Sequence, residues 1–70
     1  MLKEQLDRLI DDMVNRGVRY EDAHREFEHR FIARVVAQAN GNLGRAAAAL
    51  GIHRNTLSRK MMEHRIKRHA

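Results

Sequence analysis

The sequence predicts an all-α chain built from four helices. Three observations carry that reading. Apolar residues recur every three to four positions over residues 2–14 and again over 20–39. Glycines at positions 17, 41 and 51 interrupt that periodicity where helices would have to stop. Residues 42–61 then read as a short small-residue helix, a tight glycine turn and a second helix with a basic outer face. At 70 residues the chain is one domain at most, with a limited core that a partner chain would help to stabilise. The expected division is 1–40 for two dimerisation helices, 41–66 for a helix-turn-helix and 67–70 for a basic tail.

The first helix is expected from about Leu2 to Arg16. Leu2, Leu6, Leu9, Ile10, Met13 and Val14 fall on one face, and Asp7, Arg8, Asp11 and Asp12 on the other. Gly17 is a suitable stop. The second helix is expected from Tyr20 to Ala39. Tyr20, Ala23, Phe27, Phe31 and Val35 make one stripe, which Ile32, Val36 and Ala39 widen. Its second half is therefore apolar around much of its circumference, which calls for burial on more than one side. Four short helices can hardly surround it, so a second copy of the chain is expected to cover the rest. The result is a homodimer with a shared four-helix core, whose contacts come from Leu6, Leu9, Ile10, Met13, Phe27, Phe31, Ile32, Val35 and Val36. The alternative is a monomer that buries the same residues on its own helices.

Asn40-Gly41-Asn42 breaks the pattern, with Gly41 ending the second helix and Asn42 capping the third. Leu43, Ala46, Ala47 and Leu50 form the inner face of the third helix, whose alanines let neighbours approach closely. Gly51 supplies the positive φ of the turn, and Ile52 tucks inward. The fourth helix is expected from Arg54 to His64 or slightly beyond, and residues 67–70 to fray.

Composition excludes several classes. There is no cysteine, so no disulfide holds the chain and nothing points to an oxidising compartment. No apolar run is long enough to span a membrane, and the charged start Met1-Leu2-Lys3-Glu4 is not a signal peptide. No glycine-rich phosphate loop is present, and Ser58 has no evident base, so no catalytic constellation and no small-molecule substrate are expected. His24 and Glu28 stand at i and i+4, but no second ligand pair converges on them. They read as a helix-surface pair, and no metal or cofactor is expected.

Charge is unevenly placed. Residues 1–40 carry seven basic and eight acidic side chains, whereas residues 41–70 carry seven basic ones against Glu63 alone. A surplus gathered in the last thirty residues favours a polyanionic partner. With Leu57 at the centre of the buried face and about 100° per residue, Met61 and His64 fall beside it and Asn55 and Arg59 fall opposite. Arg pairs with guanine O6 and N7, and Asn with adenine N6 and N7. Arg54, Arg59, Asn55 and His53 are therefore the candidate base readers on double-stranded DNA. Phosphate contacts are expected from Asn42, Arg45, Thr56, Ser58 and Lys60, with Arg65, Lys67 and Arg68 as a basic tail.

Gly41-Asn42, Arg45-Ala46-Ala47, Leu50-Gly51-Ile52, Arg54, Thr56-Leu57 and Arg59-Lys60 together resemble the helix-turn-helix of the Fis family. The same module closes the nitrogen-regulator type of enhancer-binding activators. Tyr20-Glu21-Asp22-Ala23 with Arg25-Glu26-Phe27-Glu28 resembles that family's second helix, so the likeness runs from about Tyr20 to Arg65. It implies an all-helical homodimer, the first two helices for dimerisation and the last two for DNA, with recognition helices set closer than one helical turn so that bound DNA bends. It also implies a transcription regulator of the bacterial cytoplasm, at the nucleoid. Two positions depart from the pattern. Gly44 stands where the family usually has a polar residue, often a hydroxyl, and Ser58 where Fis itself has a basic one. The sequence as read starts at its first helix, without the mobile arms by which Fis engages recombinases and without a receiver or ATPase domain, as expected either of a small stand-alone regulator or of a piece of a larger one. Recombination enhancement and nucleotide-driven activation are therefore not expected. A rival reading remains open, in which the chain is a helical interaction module whose basic end meets an acidic protein or RNA.

Overall fold

The computed structural model describes residues 1–67. Four helices follow one another: α1 (Leu2–Asn15), α2 (Tyr20–Gln38), α3 (Leu43–Leu50) and α4 (Arg54–His64), with no strand among the described residues. The expected boundaries hold to within one residue at each end.

Each helix ends in the same way. The amide just after the left-handed residue donates to a carbonyl five residues back, and the left-handed residue's own amide to a carbonyl three back: Val18 to Met13 (3.0 Å) and Gly17 to Val14 (3.0 Å) after α1. Gly41 to Val36 and Asn40 to Ala37 close α2, Ile52 to Ala47 and Gly51 to Ala48 close α3, and Ile66 to Met61 and Arg65 to Met62 close α4. This paired closure requires one residue in the left-handed region. Gly17 (φ 76°) and Gly51 (φ 72°) take it without a Cβ penalty. After α2 and α4 that position falls to Asn40 and Arg65, both at φ 55°. The stop after α2 is thus Asn40, not Gly41 as expected; Gly41 follows it with φ 79°. The short polar side chain of Asn tolerates this region, whereas Arg65 is strained there.

The core is small and lies among α2, α3 and α4. It consists of Ile32, Val36, Ala39, Ala46, Ala47, Leu57 and Met61, with Val35, Leu43, Leu50, Ile52 and Ile66 packed partly buried against it. Ala46 and Ala47 have no bulk beyond Cβ, so α3 lies close to both α2 and α4. Ile52 and Ile66, each the residue just after a left-handed stop, reach back into this cluster, which ties two chain reversals to the core.

This arrangement divides the residues expected at the dimer contact into two groups. Ile32 and Val36 are buried in the chain's own core at 4% and 1% exposure, and half-buried Val35 packs against it, so α3 and α4 cover that side of α2. What stays uncovered is the other side of α2, with Phe27 and Phe31 (ring centroids 5.2 Å apart), and α1 apart from half-buried Met13. α1 buries no side chain: Leu2, Leu6, Leu9, Ile10 and Val14 are exposed and Met13 is half-buried. No helix among the described residues is long and apolar enough to cross a membrane. The expected fraying of 67–70, and Arg68 of the basic tail, fall at or beyond the end of the described residues.

Candidate nucleic-acid interface

Asn42 starts α3. Its Oδ1 accepts from the Arg45 amide at 3.0 Å, satisfying one of the free donors of the first turn. This is the expected cap; it occupies the oxygen of an otherwise exposed side chain. Arg45 and Gly44 are exposed on the same turn.

α4 begins with His53, whose Nδ1 accepts from the Asn55 amide at 3.2 Å. Nδ1 must be unprotonated for this bond, so the cap selects the ring form carrying its proton on Nε2. His53, expected among the base readers, is therefore first a helix cap, with one ring nitrogen already engaged. The sequence signal was available, since His53 immediately precedes the helix, but imidazole is an uncommon capping group beside Ser, Thr, Asp and Asn.

Beyond the cap the helix has two distinct sides. Leu57 is wholly buried and Met61 is 6% exposed. Arg54, Asn55, Arg59, Met62 and Glu63 are exposed, and Thr56, Ser58, Lys60 and His64 are half-buried at the flanks. The inward Leu57 and outward Asn55 and Arg59 follow the expected angles. Arg54 is exposed in the first turn, free to extend beyond the helix start. Among the described residues Arg45, Arg54 and Arg59 form no ion pair, so three guanidinium groups project from the helix-turn-helix unneutralised. Met62, which is 80% exposed, lies three residues beyond Arg59 on the outward side. Its solvent-facing position follows from the helical angle.

Lys60 behaves differently from the other cations. Its Nζ donates to Glu28 Oε2 of α2 at 3.0 Å, and the ring of His64 meets Glu28 Oε1 through Nε2 at 2.8 Å. Both oxygens of one carboxylate thus hold α4 against α2. The His64 hydrogen bond, then that of Lys60, keeps the Glu28 carboxyl below its ordinary value of 4.5 despite partial burial. His29 sets its ring edge-on against His64, with centroids 5.6 Å apart. The expected pairing of Glu28 with His24 along α2 does not form; His24 stacks on Tyr20 instead, 6.1 Å between centroids. Lys60, expected among the phosphate ligands, is held by Glu28 in this chain. No group of three or more His, Cys, Asp or Glu among the described residues is arranged to hold a metal.

A short α3, a left-handed glycine corner and an α4 that is apolar within and cationic without define a helix-turn-helix. Residues 23–64 match the family described as bacterial regulatory protein, Fis family, and the chain belongs to that family. The matched stretch leaves out α1 and the first turn of α2. A protein of Xylella fastidiosa named as a Fis-like DNA-binding protein is similar to it, 44% identical over 45 residues that make up 64% of this chain and 50% of that protein. The match therefore spans half of the relative's length. No solved structure matches the chain.

Proposed function

We propose that this chain is a regulator that binds double-stranded DNA selectively as a homodimer, inserting the N-terminal half of α4 into the major groove. The observation that carries the reading is the opposition of buried Leu57 and Met61 to exposed Asn55 and Arg59 on one helix. A helix held from behind by a core, with bidentate-capable side chains in front, is what groove reading requires. The family described for residues 23–64 and the DNA-binding name of the Xylella relative point the same way.

Within this reading Arg59 and Arg54 contact guanine edges, and Asn55 contacts adenine or a phosphate beside it. His53 reaches the DNA through Nε2 while its other nitrogen caps the helix. Phosphate contacts come from Arg45, Thr56, Ser58, the side-chain amide of Asn42 and the first-turn amides of α3. The uncovered stripe of Leu6, Leu9, Ile10, Phe27 and Phe31 supports a dimer through α1 and α2, leaving both α4 helices outside. Such a protein works at the bacterial nucleoid, and no catalytic step is assigned to it.

A duplex titration across salt concentrations tests the proposal. Tight binding at low salt that weakens linearly in log salt is expected. Arg59→Ala should flatten preference among sequences, whereas Arg45→Ala should weaken binding to all of them alike. Absence of binding at low salt rejects the reading. So does a dimer in which residues 54–65 are buried, the outcome that would favour an interaction module instead.

A further inference from the structure

The Glu28–Lys60–His64 cluster joins the two halves of the molecule. Glu28 sits on α2, one residue after exposed Phe27 and three before exposed Phe31, on the helix that would face a second copy. Lys60 sits on α4 directly after Arg59. The side chains are 22% exposed for Glu28, 30% for Lys60 and 8% for His64, so the contact is partly withdrawn from water and screened less than a surface pair. Each oxygen of the carboxylate has its own partner, which fixes the orientation of the group as well as its charge. Three other ion pairs among the described residues, Lys3–Asp7, Arg16–Asp12 and Arg30–Glu26, are exposed pairs four positions apart that join no two helices.

A lysine on the flank of a groove-reading helix would ordinarily be a phosphate ligand, adding affinity for every sequence alike. Here a carboxylate already holds it at 3.0 Å, with the nearly buried His64 holding the carboxylate in turn. A DNA phosphate must displace that bond before Lys60 adds to affinity. We infer that Glu28 is a specificity-determining residue: it withholds Lys60 from the phosphates and pins α4 to α2, lowering attraction to arbitrary DNA and holding Arg59 and Asn55 in one reading position. The inference rests on the DNA-binding reading above. Withholding a cation and fixing a helix act in the same direction, because one removes sequence-independent affinity and the other restricts the poses from which bases are contacted.

The test compares wild-type protein, Glu28→Gln, Lys60→Gln and the double variant. Each binds two duplexes, one recovered by selection from random sequence and one of arbitrary sequence, over a range of salt. Glu28→Gln keeps the shape and one acceptor but loses the charge that holds Lys60. It is expected to bind arbitrary duplex more tightly, to steepen the dependence of log affinity on log salt by about one unit, and to narrow the ratio between the two duplexes. A merely structural role for Glu28 would weaken binding to both duplexes together, and that result overturns the inference, as does an unchanged slope. The double variant should lose the added slope. Lys60→Gln alone, in which Glu28 keeps His64, should leave the slope as in wild type; a slope lower by about one would mean that Lys60 already contacts phosphate and would overturn the inference even if Glu28→Gln did not fold. Wild-type protein that binds neither duplex would instead sink the DNA-binding reading itself.

Discussion

Leu57 and Arg59 are two residues apart on α4 and face opposite ways: Leu57 is completely buried against α2 and α3, and Arg59 stands in solvent. Two positions on one helix turn thus separate stability from recognition. Leu57→Ala should cost roughly 2–5 kcal/mol, a large part of what so small a domain has. Arg59→Ala should leave stability within about 0.5 kcal/mol of wild type. Urea unfolding followed by circular dichroism checks both, and equal losses would contradict the assigned orientations.

Arg65 stops α4 from the left-handed region, a conformation costing a non-glycine residue roughly 1–2 kcal/mol. The stop is kept because Ile66, just beyond it, packs against the core and donates to Met61. Arg65→Gly should therefore raise stability by about 1 kcal/mol, or roughly 4–8 °C in Tm. A fall in Tm would show that the arginine side chain contributes something the backbone geometry does not reveal.

Glu28 sets a pH dependence. Its carboxyl titrates below 4.5 in the folded chain, chiefly through His64 and then Lys60, and near 4.5 once unfolded. Its contribution to folding is therefore complete above that value and fades as pH falls through the lower folded value. Wild-type protein should lose stability more steeply than Glu28→Gln as the solution is acidified below 4.5, and the two should converge at the lowest pH. Parallel curves would place the carboxylate outside the fold's ion-pair network.

Phe31 lies half exposed on the uncovered side of α2, beside Phe27. In the proposed homodimer it sits in a dry contact, where a charge has no partner. Phe31→Lys should give a monomer in sedimentation at micromolar concentration while α2–α4 stay folded. Dimers that survive this substitution would direct attention to α1 alone.

The helices were legible in the sequence because apolar spacing and single stop residues lie along the chain itself. Gly17 and Gly51 announced their turns, and Asn42 its cap. Asn40 was overshadowed by the glycine beside it, although Asn tolerates the left-handed region, and nothing in an arginine side chain signals the left-handed turn at Arg65. The double-sided apolar face of α2 was also legible, but its division was not. Periodicity shows that Ile32, Val36, Phe27 and Phe31 need cover, yet only the packing of α3 shows that Ile32 and Val36 find it within the chain. Within the candidate site, Asn55 and Arg59 followed from helical angle alone. The hold on Lys60 joins residues 32 and 36 positions apart, beyond the reach of any local pattern.

A helix of fourteen residues with no buried side chain has only its intrinsic propensity and a few solvent-exposed ion pairs to keep it wound. The order of α1 is accordingly conditional. In dilute solution its amides should exchange with solvent far sooner than those of α3, and they should slow as protein concentration rises and a second surface meets the leucine stripe. The first helix would then gauge how much of the protein is assembled, through hydrogen exchange alone and without any DNA present.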